Sequence, residues 1–433
     1  MSPNGMKDGN RARTWRRALG ILVVAVALAS PAWSQAGRAD LSRLVIVGDS
    51  LSAGYQNGSL LDRQQVHGYA SLVADQARMP LALPLIGEPG IPNVLQLTSI
   101  NPLVIMPAPG ISPGRTDPFA QATNLAVPGQ NVRDALSLRP DFPIDTLTDL
   151  VLGLPGLLTG TSRSQVEWAE SLEPTTIIVW IGNNDALGAA LAADTAFLTP
   201  VPDFETRYGD LMDRLSATGA TIVAANIPDV TLVPFLTPAE KVAAKIGLPL
   251  SAIGPILGIG PGDYVTPDAF PLIPPRLANP LLGPLPGNVV LTAGEVATFQ
   301  STIDVYNACI AERARAKGAA LVDIHTLLLR VQAGGVVAGG QRLTTEFLGG
   351  VFSLDGIHPT DTGHAILANE FIRVLDTAFA AGIPPVSLEQ VAQDDPLVLP
   401  GVGRPASALG HVKPETAASL RAVMLRRQPP PVP

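Results

Sequence analysis

The chain has 433 residues, more than a single hydrophobic core usually supports, so two domains or one domain with long insertions is expected. Hydrophobic residues make up 46% and charged residues 15%, which excludes a disordered or fibrous chain. A formal charge of −8 argues against nucleic acid or an anionic membrane surface as a partner, because both repel an acidic protein.

In chain order, residues 1–34 read as an export signal. Lys7, Arg11, Arg13, Arg16 and Arg17 give a basic start, 18–29 is apolar, and Ala32-Trp33-Ser34 offers a small-x-small cleavage site. The apolar run is about a dozen residues, short of the ~20 a spanning helix needs. The expectation is cleavage before Gln35, no membrane span afterwards, and a secreted or periplasmic location. The single cysteine, Cys309, cannot form an internal disulfide and reads as a buried small apolar residue.

Beyond the signal, short β-rich runs at 43–47, 123–127, 176–181, 221–225 and 320–324 are each followed by a Gly, Asn or Pro break or a helical pattern. Helices are expected at 71–78, 204–217, 293–317 and 362–380. The alternation predicts an α/β protein: a flavodoxin-like three-layer α/β/α sandwich on a five-stranded parallel sheet, spanning 40–383. Two stretches rich in Pro and Gly, 85–121 and 248–288, match no regular element. Their Ile, Leu, Val and Phe content makes them ordered insertions rather than polar linkers, able to form an apolar cap. Residues 384–433 are Pro-rich and are expected to form a disordered tail.

Ligands of open parallel sheets bind at the carboxyl ends of the strands. Ser50 directly follows the first expected strand, Pro128-Gly129 the second and Gly182-Asn183-Asn184-Asp185 the third, while Asp355 and His358 lie just before the last helix. Acyl transfer needs a nucleophile, a base, a group to orient the base, and donors for an oxyanion. Ser50 has the nucleophile's position, His358 is the base candidate and Asp355 can reach its second ring nitrogen. The backbone amides of Ser50 and Gly129, with the Asn184 carboxamide, can supply the oxyanion donors. His364 is the runner-up base. Gly110-Ile111-Ser112-Pro113-Gly114 also fits G-x-S-x-G, but Pro113 lacks the N–H that this motif requires after its serine. No residue group has zinc spacing, so neither metal nor cofactor is expected.

These four segments resemble the signature blocks of the SGNH or GDSL hydrolases: Gly48-Asp49-Ser50-Leu51, Gly129, Gly182-Asn183-Asn184-Asp185, and Asp355-Gly356-Ile357-His358-Pro359. The resemblance implies that the serine is a nucleophile activated by the histidine and aspartate. It implies an oxyanion hole from Gly129 and Asn184. The function expected is an exported serine carboxylic ester hydrolase working through an acyl-enzyme on a small-molecule or lipid ester, preferably an acyl lipid or other short-to-medium acyl ester. Two alternatives stand beside it: an acetyl esterase on cell-envelope or plant polysaccharide, and a non-catalytic ligand-binding module of the same fold. Nothing in the sequence specifies an oligomeric state.

Overall fold

The computed structural model describes residues 39–100 and 102–398. The expected signal segment, 1–34, lies outside the described residues, as does the expected tail beyond 398.

The centre is a four-stranded parallel sheet: β1 (Leu44–Gly48), β2 (Thr176–Trp180), β3 (Thr221–Ala225) and β4 (Ala320–Val322), hydrogen-bonded in that order. Every residue of β1 and β2 is buried, so these strands are covered on both faces, as their uninterrupted apolar runs require. The covering helices form two packed groups. One contains α2 (Tyr69–Ala77) and α8 (Asp361–Phe379); the other contains α3 (Gln165–Ser171), α5 (Val201–Ala217) and α6 (Ala293–Ala316). Between them in the chain come α4 (Asn184–Ala192) and α7 (Ile324–Gly334), and the short α1 (Ser50–Ala53) follows β1 directly.

The expected second strand, 123–127, is corrected to a bridged segment. It runs parallel along the free edge of β1, with Ile46 N donating to Thr123 O, Leu125 N to Ile46 O and Val127 N to Gly48 O, but it forms only an isolated bridge, Ile46 to Asn124. The cause is local. The Asn124 side-chain oxygen accepts from Ala126 N while its amide donates to Ser52 O, so a side-chain turn competes with the ladder. The fifth strand end, expected at 324, also falls earlier. Asp323 accepts from Thr326 N and from its hydroxyl, capping α7.

Both insertions contain regular structure that the Pro and Gly content concealed. Within 85–121, Leu95–Ile100 and Leu103–Pro107 pair as an antiparallel hairpin. Backbone bonds from Leu95 N to Asn57 O, Leu60 N to Ile91 O and Asp62 N to Ile86 O fasten this insertion to the loop after α1. Within 248–288, helices Leu250–Leu257 and Ile273–Ala278 share a separate apolar core with Val242, Val265 and Val290. The expected tail is corrected at its start. Residues 388–394 form α9 (Leu388–Asp394), and Val386, Leu397 and Val398 are buried against the main core. No described helix is long and apolar enough to cross a membrane.

Candidate active site

The β1–α1 turn is as tight as its sequence demands. A Cβ on Gly48 would lie 2.4 Å from the Ser52 hydroxyl and 2.9 Å from the Trp180 carbonyl, so no other residue fits without displacement. Asp49 caps α1 by accepting from Leu51 N, and its other oxygen accepts from the Asn183 amide at 2.8 Å. Burial pushes the Asp49 carboxyl up to about 6, against the bonds from Asn183 and Leu51 that favour its charge. This capped turn sets Ser50 as the first residue of the helix.

Ser50, Asp355 and His358 are brought together from opposite ends of the chain. The Ser50 hydroxyl lies 2.9 Å from His358 Nε2, and His358 Nδ1 lies 2.9 Å from Asp355 Oδ2. Both Asp355 and His358 are fully buried. Asp355 Oδ1 accepts from the backbone amides of Ile357 and His358, and Oδ2 also accepts from Gly58 N at 2.7 Å. Burial raises the Asp355 carboxyl, but the adjacent imidazole and these bonds outweigh it and hold the group below the usual carboxylate range. An ionised Asp355 fixes the histidine tautomer, with its proton on Nδ1 and Nε2 free to accept from the serine.

One segment that sequence reasoning missed, residues 55–58, holds this pair in place. The Tyr55 ring packs against the His358 imidazole, centroids 4.7 Å apart, and its hydroxyl donates to Gly58 O. Asn57 accepts from Leu354 N through its side chain and donates from its backbone to the Ser353 hydroxyl. Asn57-Gly58 is a standard turn dipeptide, and both residues have positive φ, 52° and 70°. That turn signal was present in the sequence, but nothing local tied it to residue 355.

Of the expected oxyanion donors, Gly129 and Asn184 are linked through Gln130. Neither Ser50 N nor Gly129 N donates to another described residue. The Asn184 carboxamide donates to Gln130 O at 2.9 Å, which holds it beside Gly129 and leaves its second N–H. Asn183 rather than Asn184 lines the pocket that adjoins Ser50.

That pocket is partly open to solvent and almost wholly apolar. Beyond Ser50 and His358, its walls include Leu187, Val230, Leu327, Val331, Phe352 and Ile366. The expectation of a cap from the insertions is corrected here, because no lining residue belongs to 85–121 or 248–288. The apolar wall comes instead from α7, from α8 and from loops at 228–233 and 351–359. The first insertion buries Ile86, Leu95 and Ile105 in the main core, and the second has a separate core of its own.

The remaining candidates are elsewhere. His364 is fully buried and accepts from Tyr69 N, and no contact joins it to Ser50. The Ser112 hydroxyl donates to Gly87 O and has no histidine partner. Cys309 is buried in α6. Among the described residues no group of three or more His, Cys, Asp or Glu could hold a metal ion.

The chain belongs to the GDSL-like lipase/acylhydrolase family, whose pattern it matches over residues 44–371. It therefore falls among ester hydrolases. Similar solved structures include LAE5, an alpha/beta hydrolase enzyme from the metagenome of Lake Arreo, Spain, at 16% identity and TM-score 0.36, covering 78% of this chain and 95% of that one. Another is a variant of Axe2, an acetyl xylan esterase from Geobacillus stearothermophilus, at 14% identity and TM-score 0.36, covering 79% and 96%. A third is the psychrotrophic esterase EstA from Pseudoalteromonas sp., at 13% identity and TM-score 0.33, covering 78% and 97%. No curated protein matches the chain.

Proposed function

We propose that the protein is an exported serine esterase that cleaves medium-chain acyl esters through a Ser50 acyl-enzyme. The observation that carries this reading is the continuous Ser50–His358–Asp355 hydrogen-bonded chain, with Ser50 and His358 lining an apolar pocket. In the first step His358 Nε2 takes the hydroxyl proton as the Ser50 oxygen bonds to the ester carbon. Negative charge moves to the carbonyl oxygen, where Ser50 N, Gly129 N and the free Asn184 N–H are the donors. His358 then returns the proton to the departing alcohol oxygen as the C–O bond breaks. Water repeats the sequence, giving its proton to His358 and its oxygen to the acyl group, and Ser50 is regenerated. Asp355 stays ionised throughout and orients the imidazole.

The pocket favours a longer acyl chain over acetyl. A two-carbon acyl group would leave most of the apolar lining in contact with water or empty space, whereas each added buried CH2 contributes ~0.8 kcal/mol. Export is supported by the basic, apolar and small-x-small succession in residues 1–34.

The test is hydrolysis of p-nitrophenyl esters from acetyl to dodecanoyl by the parent and by Ser50→Ala. The expected result is a kcat/KM maximum at a medium chain and a loss of at least about 10,000-fold in the variant. Unchanged activity in Ser50→Ala would remove the nucleophile assignment, and a maximum at acetyl would remove the chain-length reading.

A further inference from the structure

Gln165 is the first residue of α3, outside every signature segment, and it is fully buried. Its side chain behaves as a short strand edge laid against Gly48. Its oxygen accepts from Gly48 N at 2.9 Å and its amide donates to Gly48 O, also at 2.9 Å. The second amide hydrogen goes to the side-chain oxygen of Gln130 at 2.5 Å. Gln130 in turn follows Gly129 and accepts from the Asn184 carboxamide through its own backbone carbonyl. Its side-chain amide is anchored on the Thr148 hydroxyl.

The connections have a common direction. Gly48 leads into the turn that presents Ser50; Gln130 carries Gly129 and holds Asn184. Gly48 O also accepts from Val127 N, where the bridged segment enters the Gly129 loop. One buried carboxamide therefore joins all three expected oxyanion donors, and every polar atom on it is used. Its own position is fixed by the helix start: Ser164 and Glu167 form a reciprocal capping box around it, and Glu167 is paired with Arg139.

We propose that Gln165 is a positioning residue for the reaction: it sets the register of the Ser50 turn against Gly129 and Asn184, so that three N–H groups converge on one developing oxyanion. Oxyanion stabilisation depends on donors placed before the charge appears, and displacement of about 1 Å can cost on the order of 100-fold in rate. Ground-state binding in the apolar pocket does not depend on this register, because Gln165 and Gln130 do not line it. The effect belongs to kcat rather than KM.

This inference rests on Ser50 being the nucleophile, and the experiment separates the two. Gln165→Met keeps length and removes all three hydrogen bonds; Gln130→Met keeps the Gly48 clamp and removes the second link. Each is measured per active site titrated with a p-nitrophenyl alkylphosphonate, alongside inhibition by an alkyl boronic acid, whose tetrahedral adduct places an oxygen among the donors. The expected result for Gln165→Met is a kcat lower by about 10- to 100-fold, KM within about threefold of the parent, and boronate inhibition weakened in proportion to kcat. Gln130→Met should show the same pattern at smaller size. A kcat per titrated site within about twofold of the parent would overturn the proposal, even with a lower Tm. Should Gln165→Met not fold, Gln130→Met is read by the same criterion. If Ser50→Ala itself remains active, the nucleophile assignment fails first.

Discussion

His364 lies six residues beyond His358, in the first turn of α8, and both imidazoles are fully buried, but only His358 has a carboxylate hydrogen-bonded to its ring. His364 is enclosed; the His358 and His67 imidazoles disfavour its protonation and Asp355 favours it. Burial first, and those imidazoles second, hold it down to about 3. In the unfolded chain it would titrate near 6.5, so between pH 6.5 and 3 the unfolded state binds the extra proton. Its contribution to stability is therefore lost as pH falls through that window. The loss amounts to about 2 kcal/mol between pH 7 and pH 5, an order-of-magnitude figure from the linkage relation. Asp49, raised to about 6, and Asp185, raised to about 7, act with the opposite sign. They stabilise the fold as pH falls from those values to 3.8, because there the folded state binds the proton. Replacing His364 with Gln keeps an acceptor for Tyr69 N and removes only the histidine term. The variant should be less stable than the parent at pH 7, with the gap narrowing by pH 5. Chemical denaturation at the two pH values measures it; an equal gap at both would show that His364 does not titrate on unfolding.

Helix α7 shows what an element contributes that a residue pattern does not reveal. The apolar run through 320–324 reads as one strand, but Asp323 stops it and caps a helix whose Leu327, Leu328 and Val331 form a wall of the apolar pocket. An N-cap aspartate before an apolar helix is a legible signal that the strand reading overrode. Prolines carry a similar message: Pro238 and Pro249 precede helices Ala239–Ile246 and Leu250–Leu257, where a fixed φ suits the helix start. Ser50, Asp355 and His358 were readable because each lies at a strand end or helix start with its own local motif. The 55–58 clamp and the pocket wall were not, because their partners are hundreds of residues away and only the folded sheet makes them neighbours. The wall can be tested directly. Leu327→Trp fills pocket volume without touching Ser50 or His358, so it should lower kcat/KM for octanoyl esters while leaving butyryl esters near the parent value. Each excluded CH2 corresponds to ~0.8 kcal/mol, or about fourfold. An unchanged octanoyl-to-butyryl ratio would place the acyl chain elsewhere.

Across the whole molecule, the site is held by chain segments from both ends of the described fold. The loop after α1 supports Asp355, and residues 384–398 support the helix that begins just after His358. Asp395 accepts from both the backbone N–H and the hydroxyl of Thr362 in the first turn of α8, while Asn369 exchanges hydrogen bonds with both backbone groups of Val386. Proline content alone made this segment look like a tail. Its buried apolar residues, Val386, Ala392, Leu397 and Val398, are irregularly spaced and form no pattern long enough to detect. Truncation distinguishes the two views. A chain ending at residue 398 keeps this segment and serves as the reference for Tm and kcat. A chain ending at residue 383 exposes the surface that these side chains cover, at a cost of roughly 5 kcal/mol for three aliphatic side chains. It also leaves the Thr362 donors without their carboxylate. That shorter chain should melt well below the longer one and lose kcat as the start of α8 frays beside His358. Equal Tm and kcat for the two chains would mean that residues 384–398 rest on the fold without supporting it.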